Sequence, residues 1–410
     1  MRVAMISVHA CPLAVLGGPQ SGGLNLYVRQ LAQELGRLGI EVDVFTRAEN
    51  YVAPKVVKMG RNVRVVHLRA GPRRHFSPKK IFPYLPEFLQ SAQSFMQDEG
   101  RHYDLIHAHY WLSAWVGQRL AKNWQVPLVC MFHTLGRRKN EIAREEAELE
   151  PPVRIEVEEE TIKSADRIIA ATMEEKRELV VSYKAVSRRV EIIPPGVNLL
   201  LFYPRGRQLA RKKLGVKFNG KIILFVGRLD PVKRIETLLE AVALLPKLPK
   251  GDFCLFIIGG KVSKKDSQMS IFRKLTANLG IGSRVRFLGS QSQKRVALYY
   301  CASDIFVLPS AYESFGLSAL EAMASGVAVI ASRVGGLPFL VDDGRTGFLF
   351  PAGNQQALRK KLEALLRNEK LRERLGRNAA IEAVSYSWQA VARKILVIYQ
   401  SLVKVDIINK

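Results

Sequence analysis

Glu313-Ser314-Phe315-Gly316-Leu317-Ser318-Ala319-Leu320-Glu321 sets two carboxylates around a helix start. Glu313 stands before the helix, where it can accept hydrogen bonds from sugar hydroxyls. Glu321 is expected about two turns in, on a flank suited to ribose hydroxyls. Between them, Phe315, Gly316 and Leu317 offer backbone amides that no helical carbonyl can satisfy, which suits a phosphate. Two isolated glutamates would read as a solvated helix face. The embedded Phe-Gly-Leu and the strand Ile305–Leu308 ahead of it argue instead for a ligand site.

Gly227-Arg228-Leu229-Asp230-Pro231-Val232-Lys233-Arg234 places Arg228 and Lys233, a fork and a point charge, where a diphosphate could lie. Plain surface charge is the competing explanation. Gly17-Gly18-Pro19-Gln20-Ser21-Gly22-Gly23 can bring backbone amides to an anion at a helix N-terminus, although a tight turn alone would also call for its glycines. His133 follows the strand Pro127–Phe132; a lone histidine there is more often structural than functional. His107-x-His109 puts two histidines on one face of a strand, but no third ligand stands at metal spacing. Cys11, Cys130, Cys254 and Cys301 form no C-x-x-C pair and sit in apolar surroundings, so neither a disulfide nor a structural zinc is expected.

These residues need a scaffold, and the pattern supplies one. β-branched runs at Val3–Val8, Glu41–Thr46, Val63–Leu68, Leu105–His109, Pro127–Phe132, Arg167–Ala171 and Val190–Ile193 alternate with helical periodicity, which predicts βαβ units on a parallel sheet. The first helix begins after Gly22-Gly23, and Gly36 and Gly39 are expected to close it. Ile193-Pro194-Pro195-Gly196 interrupts the alternation. A second series then runs through Ile222–Val226, Phe253–Ile258, Val285–Leu288, Ile305–Leu308 and Val327–Ala331. The fold class is therefore α/β, with two Rossmann-like, doubly wound domains. The boundaries are placed at 1–195 and 196–386, with a C-terminal helix from about 387 to 410 expected to pack back on the first domain. Ligands of open parallel sheets bind beyond the carboxyl ends of strands, where the unusual residues fall.

A chain of 410 residues exceeds one ordinary core, and 48% hydrophobic with 24% charged residues marks a globular protein. No apolar run approaches the ~20 residues of a membrane span, and the N-terminus reads directly into a strand, so a cytoplasmic protein is expected. The net charge of +26 calls for an anionic partner. Clusters such as Arg73-Arg74, Lys79-Lys80 and Arg137-Arg138-Lys139 carry no interleaved aromatic platform, which speaks against nucleic acid. A weak membrane-surface contact and a homodimer both stay open.

Together with Ala324-Ser325-Gly326-Val327-Ala328-Val329-Ile330-Ala331-Ser332 and Gly335-Gly336-Leu337-Pro338, the two motifs of the second half resemble glycosyltransferase family 4 over nearly the whole chain. Ser7-Val8-His9, Gly22-Gly23-Leu24-Asn25-Leu26-Tyr27-Val28 and His107-Ala108-His109-Tyr110-Trp111-Leu112-Ser113 resemble the branch of inositol-phosphate N-acetylglucosaminyltransferases, which start mycothiol synthesis, and sucrose-phosphate synthases. The resemblance implies a GT-B fold with the active site in a deep interdomain cleft. It also implies a retaining hexosyltransferase that takes a UDP-sugar donor, UDP-glucose or UDP-N-acetylglucosamine, and needs no metal or other cofactor. Arg228 and Lys233 would then hold the donor diphosphate, Gly23, Phe315, Gly316 and Leu317 would line the donor site, and Glu321 would bind the ribose. Glu313 would meet the transferred sugar, and His133 would align it. The acceptor, a phosphorylated sugar or cyclitol such as inositol phosphate or fructose 6-phosphate, would be bound by Lys79, Tyr110, Thr134 and Arg154, with Asn25 on its hydroxyls. The loop around Lys79 departs from the branch pattern, and Lys80 could substitute. Three alternatives compete: a phosphorylase with a lysine-held cofactor, a non-catalytic nucleotide-sugar sensor, and a peripheral-membrane enzyme similar to phosphatidylinositol mannosyltransferases.

Overall fold

The computed structural model describes residues 1–14, 22–143, 145–246, 252–260 and 267–403. They divide into two units: the first holds the described residues of 1–14, 22–194 and 388–403, the second those of 195–387.

In the first unit, β1 (Arg2–Ile6) leads through α1 (Gly23–Arg37) to β2 (Glu41–Arg47), and β3 (Val56–Gly60) and β4 (Val63–Leu68) form a hairpin. There follow α2 (Leu85–Asp98), β5 (Leu105–His109), α3 (Trp111–Trp124), β6 (Leu128–Met131), α4 (Gly136–Glu141), α5 (Pro152–Ser164), β7 (Arg167–Ala170), α6 (Met173–Val181) and β8 (Val190–Ile192). The sheet order is β3-β4-β2-β1-β5-β6-β7-β8. Every pairing in it is parallel except β3 with β4, so the expectation of a purely parallel sheet is corrected at that edge. The carboxyl ends of β1, β5 and β6 lie side by side at the point where the strand order reverses, the position that open α/β sheets use for ligands.

Gly36 does not close α1. It lies inside the helix, where a Cβ would come 2.2 Å from the Arg61 carbonyl oxygen, so its glycine serves the close packing of α1 on the β3–β4 turn. The chain leaves the helix at Leu38 and turns through Gly39, whose φ of +88° is in the left-handed region.

The second unit opens with α7 (Arg207–Leu214) and continues with β9 (Lys221–Val226), α8 (Ile235–Ala243), β10 (Phe253–Ile258), α9 (Ser267–Asn278) and β11 (Val285–Gly289). Next come α10 (Gln293–Ala302), β12 (Ile305–Leu308), α11 (Leu317–Ala324), β13 (Ala328–Ser332), α12 (Leu337–Leu340), β14 (Gly347–Phe350), α13 (Gln355–Arg367) and α14 (Glu369–Ala383). All its pairings are parallel, in the order β11-β10-β9-β12-β13-β14. The order reverses between β9 and β12, which brings the segments after both strands together. The chain then returns to the first unit as α15 (Trp388–Leu402), which packs on α1 with the Trp388 ring 5.2 Å from that of Tyr27. Among the described residues, no helix is long and apolar enough to cross a membrane.

Candidate active site

In the second unit, the segment after β9 makes a short 3-10 turn at Pro231–Lys233, and the Val232 carbonyl accepts from the Ala311 amide at 2.7 Å. This link delivers Lys233 to Glu313: Nζ lies 2.5 Å from Oε2, and both side chains are largely buried. Ser310 Oγ donates to the same carboxylate oxygen at 3.4 Å. Arg228 is the exposed partner of the pair, its side chain 70% accessible and 3.0 Å from Asp230. Both cations thus face a carboxylate, Lys233 in a largely buried pair and Arg228 at the surface.

Gly316 is the N-cap of α11 with φ +101°, and a Cβ there would lie 2.6 Å from Leu337 Cδ2, so glycine is required twice over. Phe315 buries its ring against Tyr386, which leaves only its amide for a ligand. Gly335 and Gly336 had no assigned role, yet they hold this loop in place. A Cβ on Gly335 would meet the Glu313 carbonyl oxygen at 2.0 Å, and the Gly336 amide donates to that oxygen at 2.9 Å. The signal was in the Gly-Gly pair; its target, 22 positions upstream, becomes visible only in three dimensions.

Glu321 is the fifth residue of α11, a little over one turn in and not about two. It is no solvated helix face. Burial raises its carboxyl to about 7, partly offset by the Tyr300 hydroxyl, which donates to Oε2 at 3.1 Å.

In the first unit, residues 17–21 of the glycine-rich loop lie outside the described residues. Gly23 is exposed at the first position of α1. Asn25 is buried and already employed: Oδ1 accepts from the Gly22 amide at 2.9 Å and Nδ2 donates to the Cys11 carbonyl at 3.0 Å. Among the described residues, one amide hydrogen and one lone pair remain for a hydroxyl. The Ser113 hydroxyl accepts from the Val8 amide at 3.1 Å, which joins two of the motifs by a direct bond.

Arg154, expected to bring charge over an acceptor, is fully buried. Nη1 donates to the Tyr110 hydroxyl at 3.1 Å, and Nη2 to the Thr134 carbonyl at 2.6 Å and to Thr134 Oγ1 at 3.0 Å. Glu158 at 2.7 Å and Glu150 at 3.0 Å balance its charge. Burial opposes that charge, but Tyr110 and the two carboxylates more than compensate and hold the guanidinium protonated. Glu150 also pairs with Lys139, a residue that sequence reading left in an unassigned basic run. Exposed Lys79 donates to the Leu149 carbonyl at 2.5 Å and to that of Glu148 at 3.3 Å. Lys80 is exposed in the same turn.

His133 has φ +62°, a left-handed conformation uncommon outside glycine, and its Nε2 lies 3.1 Å from His109 Nδ1. Burial, reinforced by His107 and His9, pushes its pKa down to about 3, so the ring is neutral at physiological pH. It can donate or accept one hydrogen bond to a sugar without carrying charge.

Residues 21–200 match the family description Glycosyltransferase Family 4, and residues 206–381 match Glycosyl transferases group 1. D-inositol 3-phosphate glycosyltransferase of Corynebacterium efficiens is 38% identical over 403 residues, 97% of this chain and 95% of that protein. The chain belongs to glycosyltransferase family 4. Sucrose-phosphate synthase from Thermosynechococcus elongatus has a similar structure, with a TM-score of 0.91 and 35% identity over 98% of both chains. HepE of Anabaena in complex with UDP-glucose is similar in fold, at a TM-score of 0.75 and 21% identity over 98% of this chain and all of that one. The two Rossmann-like units are those of a GT-B glycosyltransferase.

Proposed function

We propose that this family member is a retaining hexosyltransferase that moves glucose or N-acetylglucosamine from its UDP derivative to a hydroxyl of a phosphorylated sugar or cyclitol. The observation that carries the reading is the cluster in which the Arg154 guanidinium joins the Tyr110 and Thr134 hydroxyls at the carboxyl ends of β5 and β6, with Lys139 linked to it through Glu150. Arg154, Tyr110 and Thr134 belong to the phosphate-binding set implied by the resemblance, to which Lys79 also belongs and Lys139 does not. The name of the Corynebacterium relative contains a phosphorylated cyclitol, and that of the Thermosynechococcus protein a phosphorylated sugar, which supports this acceptor class.

On the donor side, Glu321 takes the ribose, and Arg228, Lys233 and the first amides of α11 take the diphosphate. Charge develops on the leaving phosphate as the glycosidic bond lengthens, so these fixed donors act most strongly in the transition state. Neutral His133 aligns the sugar by hydrogen bonding. Retention without an assigned carboxylate nucleophile is met by attack on the face that the phosphate is leaving, with the phosphate oxygen receiving the acceptor proton.

The deciding experiment is a matrix of UDP-glucose, UDP-N-acetylglucosamine and GDP-mannose against inositol phosphate, fructose 6-phosphate and their unphosphorylated forms, read by nucleotide release and product mass. Turnover confined to UDP donors and phosphorylated acceptors is expected. Preference for a lipid acceptor or for GDP-mannose would overturn the reading.

A further inference from the structure

Three histidines and a tyrosine run in series through the first unit. His133 Nε2 lies 3.1 Å from His109 Nδ1, the His109 and His107 ring centroids are 4.1 Å apart, and His107 Nδ1 lies 2.7 Å from the Tyr399 hydroxyl on α15. His107 and His109 are fully buried. Alternation along β5 puts them on one face, and the left-handed backbone at His133 accompanies its approach to His109. The Tyr27 ring packs edge-on against both His109 and His133, at 5.6 and 4.9 Å. The family reading of the site assigns a role to His133 alone.

The contact between His109 and His133 fixes protons as well as rings. Burial pushes His107 and His133 down to about 3 and His109 well below the usual histidine range, so all three rings are neutral and each carries one N–H. One nitrogen of the His109 Nδ1–His133 Nε2 pair must therefore donate and the other accept. His109 Nε2 is buried without a hydrogen-bond partner among the described residues. A buried N–H left without an acceptor is rarer than a bare acceptor. The His109 proton accordingly belongs on Nδ1, aimed at His133 Nε2, and the His133 proton is left on Nδ1.

We infer that His109 is a positioning residue: it holds His133 in the Nδ1–H tautomer and fixes the direction of its ring, while His107 and Tyr399 hold His109 from behind. His133 then presents a neutral N–H donor, suited to an oxygen of the transferred sugar. The catalytic consequence rests on the proposed function; the tautomer does not.

The test uses the full chain labelled with ring-15N histidine, with the His133 signals assigned by their loss in His133→Gln. In the wild-type protein His133 is expected to show a protonated Nδ1 and a bare Nε2. His109→Phe should collapse this pattern toward an average of both tautomers and lower kcat for UDP-sugar turnover about 10–100-fold, with UDP affinity unchanged, because a histidine in the wrong tautomer loses rate and not binding. His109→Asn, whose side-chain amide can stand near the Nδ1 position, should restore most of both. Tyr399→Phe, which removes a single oxygen, should shift the pattern part of the way and guards against a folding defect in the larger change. A wild-type His133 protonated on Nε2, an unchanged pattern in His109→Phe, or His109→Asn as impaired as His109→Phe would each overturn the inference. Should the wild-type protein turn over no UDP-sugar, the proposed function fails while the ring-nitrogen pattern still decides the tautomer.

Discussion

Lys233 and Glu313, 80 residues apart in sequence, form an ion pair with Nζ 2.5 Å from Oε2. The lysine proposed for the diphosphate and the carboxylate proposed for the sugar thus hold each other. A charged hydrogen bond is worth roughly 1.5–3 kcal/mol, so Lys233→Ala should weaken UDP binding about 10–100-fold. Glu313→Gln releases the lysine from its anion; UDP affinity should hold or rise while turnover falls. Calorimetry with UDP and a nucleotide-release assay separate the two effects. Equal losses of UDP affinity in both variants would make the pair a structural one.

Glu321 makes the second prediction, which concerns pH. Its carboxyl is raised from the usual carboxylate value to about 7 by burial, so the folded chain binds this proton more tightly than the unfolded chain does. Stability from this group is therefore lost as pH rises from about 4.5 to 7, where the folded protein must ionise a half-buried acid. Glu321→Gln removes that cost. Its melting temperature relative to the wild type should be higher at pH 8 than at pH 5, while its UDP affinity falls, since ribose hydroxyls lose an ionised acceptor. A melting difference that is flat with pH would sink the buried-acid account, and unchanged UDP affinity would sink the ribose assignment.

Most of the fold was legible because buried parallel strands write themselves as short, mainly apolar runs: Val63–Leu68, Leu105–His109, Phe253–Ile258 and Ile305–Leu308 have the same bounds in sequence and structure. β3 was not legible. Val56-Val57-Lys58-Met59-Gly60 is a half-exposed edge strand turned back through Asn62 at φ +59°, and an edge needs no apolar run. β14 at Gly347–Phe350 escaped because it opens on a glycine and contains no β-branched residue. Among the candidate site residues, type and strand-end position pointed to Tyr110, Thr134 and His133, but neither could show that Arg154 is buried or that Lys139 reaches Glu150. Those are facts about partners distant in the chain, and a run of charges looks the same whether it faces water or a carboxylate.

The third prediction follows from where the positive charge is assigned. With Arg228, Lys233 and the amides of α11 facing the diphosphate, saturating EDTA should leave the transfer rate largely intact. A rate lost to EDTA and restored only by a divalent ion would overturn that assignment.

Arg154 carries the last prediction, and its burial changes how the acceptor site must be tested. Removing the guanidinium would leave buried Glu158 without its cation and nearly buried Glu150 with Lys139 as its remaining partner. Breaking a buried pair in this way costs roughly 3–5 kcal/mol, a large part of the ~5–15 kcal/mol that holds an ordinary domain together. Arg154→Ala should therefore lose stability before it reports on acceptor binding, visible as a fall in melting temperature with or without substrate. Smaller changes isolate the site. Tyr110→Phe and Thr134→Val each delete one hydroxyl bonded to the guanidinium and leave its ion pairs in place. Each should lower kcat/KM for the phosphorylated acceptor about tenfold, in line with roughly 1.5 kcal/mol for a hydrogen bond to a charged group, with UDP affinity unchanged. Arg154→Lys keeps the charge but cannot reach both hydroxyls as a planar fork does, and should lose as much again while remaining folded. Lys79 stands at the surface, so Lys79→Ala should weaken the phosphorylated acceptor less, and less still at high salt. The contrast that decides the matter is between matched substrates. If these variants slow inositol or fructose as much as their phosphates, the cluster does not bind the phosphate, and the acceptor class must be sought elsewhere.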